Sequence, residues 1–158
     1  MEPNDYISRI DRARVYDVAV ESPLEPAVNL SRRTGNTILL KREDLQPVFS
    51  FKLRGAYNKI ASLPDAVLAA GVICASAGNH AQGVAFAAQQ LGIDATIFMP
   101  LGAPVPKLLA TKGYGATVVT DGATVEECLA LAAEHAERTG AGDREIDAEP
   151  DHDRRQAH

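Results

Sequence analysis

Two short stretches hold the residues whose types and spacing could do chemistry. In Ser-Phe-Lys-Leu-Arg-Gly-Ala, Ser50 to Ala56, Lys52 stands between Phe51 and Leu53, with Arg54 and Gly55 directly behind it. A lysine held among apolar neighbours at a helix N-terminus has its ammonium form disfavoured, and its neutral amine is then available as a nucleophile toward a carbonyl, which is Schiff-base chemistry. A stem packed on Phe51 with its head in water is the plain alternative. The second stretch is Ala-Ser-Ala-Gly-Asn-His-Ala-Gln-Gly, Ala75 to Gly83. A strand ends there, small residues let the backbone turn closely, and a helix begins, so N–H groups and the positive end of the helix dipole point to one place. Ser76 and Asn79 add side-chain donors, with Gln82 one turn further on. A phosphate or a carboxylate suits such a turn, although it matches neither GxxxxGK[ST] nor GxGxxG. An ordinary strand-to-helix turn capped by Ser or Asn remains open beside that reading. His80 reads as a packing or capping residue, and His135, in a charged helical stretch, as solvated. Arg54 meets an anion or pairs with a carboxylate, and Lys41, Arg42, Glu43 and Asp44 read as a solvated, paired edge.

The elements that position these residues follow from periodicity. Thr37 to Arg42 (TILLKR) is a β-branched and apolar run after the turn signal Thr34-Gly35-Asn36, and predicts a strand. Ala56, Tyr57, Ile60 and Leu63 recur at helical spacing until Pro64, which puts Lys52 at or just before a helix N-terminus. Gly71 to Ala75 then reads as a buried strand and Ser76 to Asn79 as a turn. His80 to Leu91 reads as a helix closed by Gly92. Ala95 to Met99 is the next strand, Pro104 to Lys112 the next helix, and Ala116 to Thr120 a third strand. Thr124 with Glu127 is a capping-box pattern opening a last helix that runs to about Thr139. This alternation predicts an α/β fold, a parallel sheet in three layers with helices on both faces. Ligands of such sheets bind at the carboxyl ends of the strands, where Ser76 to His80 lies. Upstream, Met1 to Arg14 reads as a short helix or arm, and Pro23 and Pro26 punctuate an extended lead-in.

Composition narrows the function classes. A net charge of −5 on 158 residues, with few aromatics, argues against a nucleic-acid groove or a basic membrane-binding face. No run of about 18 apolar residues occurs, and the charged N-terminus lacks the apolar region of a signal peptide, so a cytoplasmic protein is expected. Cys74 and Cys128 lie in apolar segments without metal-ligand spacing and read as buried, reduced thiols. The segment Asp143 to His158 carries six acidic residues, three arginines and a single large aliphatic residue, Ile146, and reads as a solvated tail.

The run KREDLQPVFSFKLRGAYNKI, Lys41 to Ile60, together with SAGNHAQGVA, Ser76 to Ala85, resembles the pyridoxal-phosphate-dependent threonine ammonia-lyases, or threonine dehydratases, of the fold-type II class. The resemblance covers about Tyr6 to Gly140 and includes MPLGAPVPKLLATKGYGA, Met99 to Ala116. It implies that Lys52 holds pyridoxal phosphate as a Schiff base and later shuttles the Cα proton, with Phe51 beside the cofactor. Asn79 would hydrogen-bond the cofactor's 3-hydroxyl oxygen. Ser76, Ala77, Gly78, Asn79 and His80 would hold the substrate carboxylate. The implied reaction takes L-threonine to 2-oxobutanoate and ammonia in isoleucine synthesis, with serine dehydration or racemisation as the alternative. The resemblance also implies a homo-oligomer for the full-length form. It divides the chain into an N-terminal part of the large domain (1–55), most of a small α/β domain (56–142) and a tail foreign to the family (143–158). The family's glycine-rich phosphate loop and the residue facing the pyridine nitrogen are not found here. The chain is therefore expected to be the N-terminal third of an enzyme, inactive alone, with a tail read out of frame.

Overall fold

The computed structural model describes residues 3–139. In chain order the elements are α1 (Pro3–Asp11), β1 (Leu24–Pro26), α2 (Val28–Thr34), β2 (Leu39–Lys41), α3 (Lys52–Ala61), α4 (Asp65–Ala69), β3 (Val72–Ala75), α5 (Asn79–Leu91), β4 (Ala95–Met99), α6 (Val105–Gly113), β5 (Thr117–Thr120) and α7 (Val125–Arg138). Short 3-10 turns occupy Val15–Asp17 and Glu43–Leu45.

Strands β3, β4 and β5 form a parallel sheet in that order, with Cys74 opposite Ile97 and Ile97 opposite Val118. Side chains alternate between the faces of a strand, so one sequence run feeds two cores. Val72, Cys74, Ile97 and Met99 face α3 and α5, meeting Tyr57, Ile60, Ala81, Val84 and Ala88. Ile73, Ala75 and Phe98 point the other way, onto Cys128, Ala132 and Ala136 of α7. The expected α/β architecture with helices on both faces is the one observed. At α7 the Glu127 N–H donates to Thr124 Oγ1 at 3.2 Å and the Ala123 N–H donates to Glu127 Oε2 at 2.7 Å, a capping box whose return bond reaches one residue further out than usual. Cys74 and Cys128 are both buried thiols, and burial pushes the Cys128 thiol up from its ordinary pKa.

Two features differ from the periodicity reading. The lead-in around Pro23 and Pro26 is half of an antiparallel pair: β1 lies on β2, with Leu24 opposite Lys41 and Pro26 opposite Leu39. Proline is tolerated there because β1 is an edge strand whose missing donor deprives no neighbour. Helix α3 begins at Lys52, as the spacing predicts, with Leu53 buried one turn before Ala56 and Tyr57. The second difference is the charged stretch after β2. Arg42 pairs with Glu25 and Asp44 at the surface as expected, but Glu43 turns inward. Its carboxylate accepts from Arg54 Nε at 2.8 Å, Arg54 Nη2 at 3.0 Å and Ser22 Oγ at 2.5 Å. Gln46, itself buried, donates to the Val20 carbonyl at 2.8 Å and accepts from the Val20 N–H at 3.0 Å. This polar hub ties the segment before β1 to the start of α3. Among the described residues no helix is long and apolar enough to cross a membrane. The stretch 143–158, read as a solvated tail, lies outside the described residues.

Candidate active site

Lys52 is delivered by the loop that leaves the polar hub. Gln46 and Val48 are buried beneath it, and Phe49 adopts φ 55°, the left-handed region that costs a residue with a Cβ about 1–2 kcal/mol. The Phe49 N–H donates to the Gln46 carbonyl at 2.8 Å, which closes the turn. Ser50 Oγ then accepts from the Lys52 N–H at 3.2 Å, satisfying one donor of the helix start. The Lys52 side chain is half-buried, its ammonium 5.4 Å from the centroid of the Phe51 ring, and Phe51 is 58% exposed. Lys52 and Phe51 thus form a cation–π pair at the surface.

Helix α5 reaches this point from the other side. A Cβ on Gly83 would stand 3.2 Å from the Lys52 carbonyl carbon and 3.3 Å from the Leu53 nitrogen, so the absence of a side chain lets the two backbones approach this closely. Asn79 is four residues before Gly83, hence on the same face of α5 and about 6 Å along its axis. The Ser76–His80 turn therefore opens beside the start of α3, at the carboxyl end of β3. Within the turn the Gly78 N–H donates to Ser76 Oγ at 3.3 Å. The first bond to a carbonyl four residues back is from the Gln82 N–H to Gly78, at 3.4 Å. The backbone N–H groups that precede it at a helix start point out along the axis, toward the Ser76–His80 turn. His80 and Gln82 are buried, whereas the Asn79 side chain is exposed.

A residue to which the sequence reading gave no role also joins the turn. Lys107 Nζ donates to Asn79 Oδ1 at 2.6 Å and lies 3.6 Å from where a Gly78 Cβ would be. The signal was available: Lys107 follows Pro104 and Pro106 at the start of α6, just beyond the carboxyl end of β4, and the loops at that end of neighbouring parallel strands converge. Of the other residues singled out, Arg54 spends its guanidinium on Glu43. That contact holds the Glu43 carboxyl down at about 2, with burial opposing and Ser22 assisting. His135 is half-buried, its ring 5.6 Å from the Phe98 ring and its Nδ1 3.1 Å from Arg138 Nη2, which corrects the solvated reading. A cavity of about 120 Å3 lined by Gly71, Asp94, His135 and Thr139 lies at the amino ends of β3 and β4, the end of the sheet away from Lys52.

A sequence model described as pyridoxal-phosphate dependent enzyme matches residues 15–145. The chain is 55% identical over 136 residues to threonine dehydratase 1 biosynthetic, chloroplastic, of Solanum lycopersicum, covering 86% of this chain and 22% of that protein. To the L-threonine dehydratase biosynthetic of Burkholderia multivorans it is 52% identical over 143 residues, covering 89% and 28%. Among solved structures, the processed form of threonine deaminase isoform 2 from Solanum lycopersicum gives a TM-score of 0.86 at 46% identity, covering 94% of this chain and 41% of that one. Maize serine racemase gives 0.84 at 32%, covering 91% and 44%. The chain spans about a quarter of the length of the curated relatives it matches. With its fold, its two motifs and most of its length matched in this way, the chain belongs to the pyridoxal-phosphate-dependent enzyme family.

Proposed function

We propose that this chain carries the lysine and the substrate turn of a threonine dehydratase, the enzyme that converts L-threonine to 2-oxobutanoate and ammonia. The observation that carries this reading is the close backbone contact of Gly83 with Lys52 and Leu53, which sets a half-buried lysine against the helix that the Ser76–His80 turn opens. The residues present fit pyridoxal phosphate and an amino acid. A primary amine stands beside an exposed aromatic ring for the aldehyde-bearing ring, and the Ser76–His80 turn offers donors to a carboxylate. When bound, the cofactor supplies an electron sink for the charge left at Cα after deprotonation.

Lys52 would hold the cofactor aldehyde covalently and, once released, take the Cα proton at Nζ. Phe51 would flank the ring and Asn79 donate to its 3-oxygen. Ser76, Ala77, Gly78, Asn79 and His80 would bind and orient the substrate carboxylate. The division into a large-domain part (1–55) and a small domain (56–142) belongs to the same proposal: β1 and β2 lie in the first, the parallel sheet in the second, and α3 joins them. A cytoplasmic homo-oligomer acting in isoleucine synthesis completes it. Serine is the second reading for the substrate, favoured by the fit to maize serine racemase.

The isolated chain should not turn over threonine, since it spans about a quarter of its curated relatives and leaves Lys52 half open to water. The test is a chimera in which this chain replaces the matching part of the Burkholderia multivorans enzyme. It should form 2-oxobutanoate from threonine faster than from serine, and Lys52→Ala should abolish the activity. Activity that survives Lys52→Ala would sink the assignment, and 2-oxobutanoate made by the isolated chain would refute its inactivity.

A further inference from the structure

The Lys107 contact goes beyond the roles given so far. An ammonium group only donates hydrogen bonds, whereas an asparagine amide has one end that accepts and one that donates. The 2.6 Å contact from Lys107 Nζ is therefore chemically committed to the oxygen of Asn79, and it has the short length of a charge-assisted bond. With Oδ1 engaged toward α6, Nδ2 is held on the opposite side of the amide. An asparagine without such a partner samples a broad, roughly two-fold torsion and presents either end.

Lys107 is itself firmly placed. Its N–H donates to the Pro104 carbonyl at 2.9 Å, and its own carbonyl accepts from Thr111 Oγ1, a fully buried side chain, at 2.8 Å. Pro104 at the N-cap and Pro106 in the first turn of α6 restrict the backbone further. Gly78 contributes by what it lacks. The ammonium lies 3.6 Å from the position a Cβ would take, so a larger side chain would crowd the path by which Lys107 crosses the turn.

We propose that Lys107 is a positioning residue for Asn79, fixing its amide so that Nδ2, and not Oδ1, faces the anionic group that the Ser76–His80 turn receives. This rests on the proposed function for the identity of that anion, a cofactor ring oxygen or a carboxylate. The orientation of the amide is independent of it. Lys107 acts through Asn79 and contacts no reacting atom, so its loss should weaken binding without changing which lysine reacts.

The experiment uses the whole 158-residue chain, labelled with 15N, with the Asn79 side-chain amide pair assigned by its disappearance in Asn79→Asp. Lys107→Met should move that pair well beyond the shifts of backbone amides in α5, and Lys107→Arg, which keeps a charged donor, should leave it near its original position. Pyridoxal phosphate is then titrated into the chimera with the Burkholderia multivorans enzyme and the Lys52-dependent visible absorbance followed, with Lys52→Ala as the blank. Lys107→Met should weaken binding by about fivefold and Lys107→Arg by less than about twofold, the scale of one charge-assisted hydrogen bond at a partly exposed site. An Asn79 pair unmoved by Lys107→Met overturns the proposal. A moved pair with unaltered binding overturns its link to the ligand. No Lys52-dependent absorbance in the unmodified chimera would instead sink the cofactor assignment, with the Asn79 resonances of the chain still deciding the role of Lys107. Circular dichroism of each variant separates these outcomes from misfolding.

Discussion

The parallel sheet with its helices and the antiparallel pair β1–β2 with its flanks treat apolar residues in opposite ways. In the first, Leu53, Ile60, Ile97 and Met99 are 0% exposed, and both faces of the sheet are covered by this chain's own helices. In the second, Leu24 is 58% exposed and Leu39 and Leu40 are each 47%, with Tyr16, Val28 and Phe49 exposed nearby. The antiparallel pair is attached largely through polar contacts, the Glu43–Arg54 pair and the Gln46 bridge to Val20, beside one small apolar cluster of Ala19, Val48 and Leu53. One region is held by area removed from water, the other by a few directional bonds, and the two should respond to different perturbations.

The largest expected effect lies in the apolar region. Ile97→Ala removes a fully buried side chain from the central strand and should cost about 2–5 kcal/mol in urea unfolding. Leu40→Ala, at a half-exposed position on β2, should stay within about 0.5 kcal/mol. Equal losses at the two sites would break the comparison.

The polar region should answer to pH. A carboxylate whose pKa drops from 4.5 to about 2 on folding contributes stability that is fully present above about 4.5 and is lost as pH falls through about 2. For Glu43 the contribution at neutral pH is of order 2–3 kcal/mol, since the pair is mostly shielded from solvent. Glu43→Gln should lower stability at pH 7 and flatten its decline between about pH 4.5 and 2 relative to the unmodified chain. Arg42, whose partners are at the surface, offers the control: Asp44→Asn should have a much smaller effect. If the two variants match, the Glu43 hub is not what holds β1 and β2.

The same contrast explains what was legible in the sequence. The parallel sheet shows in Val72–Ala75 and Ala95–Met99 because a strand covered on both faces must be apolar nearly throughout, and in Thr117–Thr120, a more open edge strand, through its β-branched run; each observed strand lies within a residue of its predicted bounds. Strand β1 was hidden because Leu-Glu-Pro is three residues long, and a proline normally argues against a strand. The inward turn of Glu43 was hidden for a related reason: its partners Ser22 and Arg54 are distant in sequence, and spacing says nothing about them. Lys52 and the Ser76–His80 turn were each visible as local patterns. Their adjacency was not, because it depends on Gly83 admitting the α3 backbone, a packing fact with no periodicity of its own.

Gly83 supplies the finest test, with Gly55 as its partner. Both are glycines inside helices, where replacement by alanine ordinarily gains about 0.5–1 kcal/mol from backbone entropy. At Gly55 a Cβ would meet nothing within 4 Å, so Gly55→Ala should stabilise the chain by about that amount. At Gly83 the same methyl would stand 3.2 Å from the Lys52 carbonyl carbon, and the neighbour it must displace is backbone. The gain should therefore be cancelled or outweighed by crowding of about 1–3 kcal/mol, leaving a net change between zero and a loss of about 2.5 kcal/mol. The two helices would part by a few tenths of an ångström at Lys52. In the chimera proposed above, a misplacement at the reacting amine should lower kcat more than it raises KM. A Gly83→Ala variant stabilised as much as Gly55→Ala, with kcat unchanged, would show that the α3–α5 contact does not position Lys52.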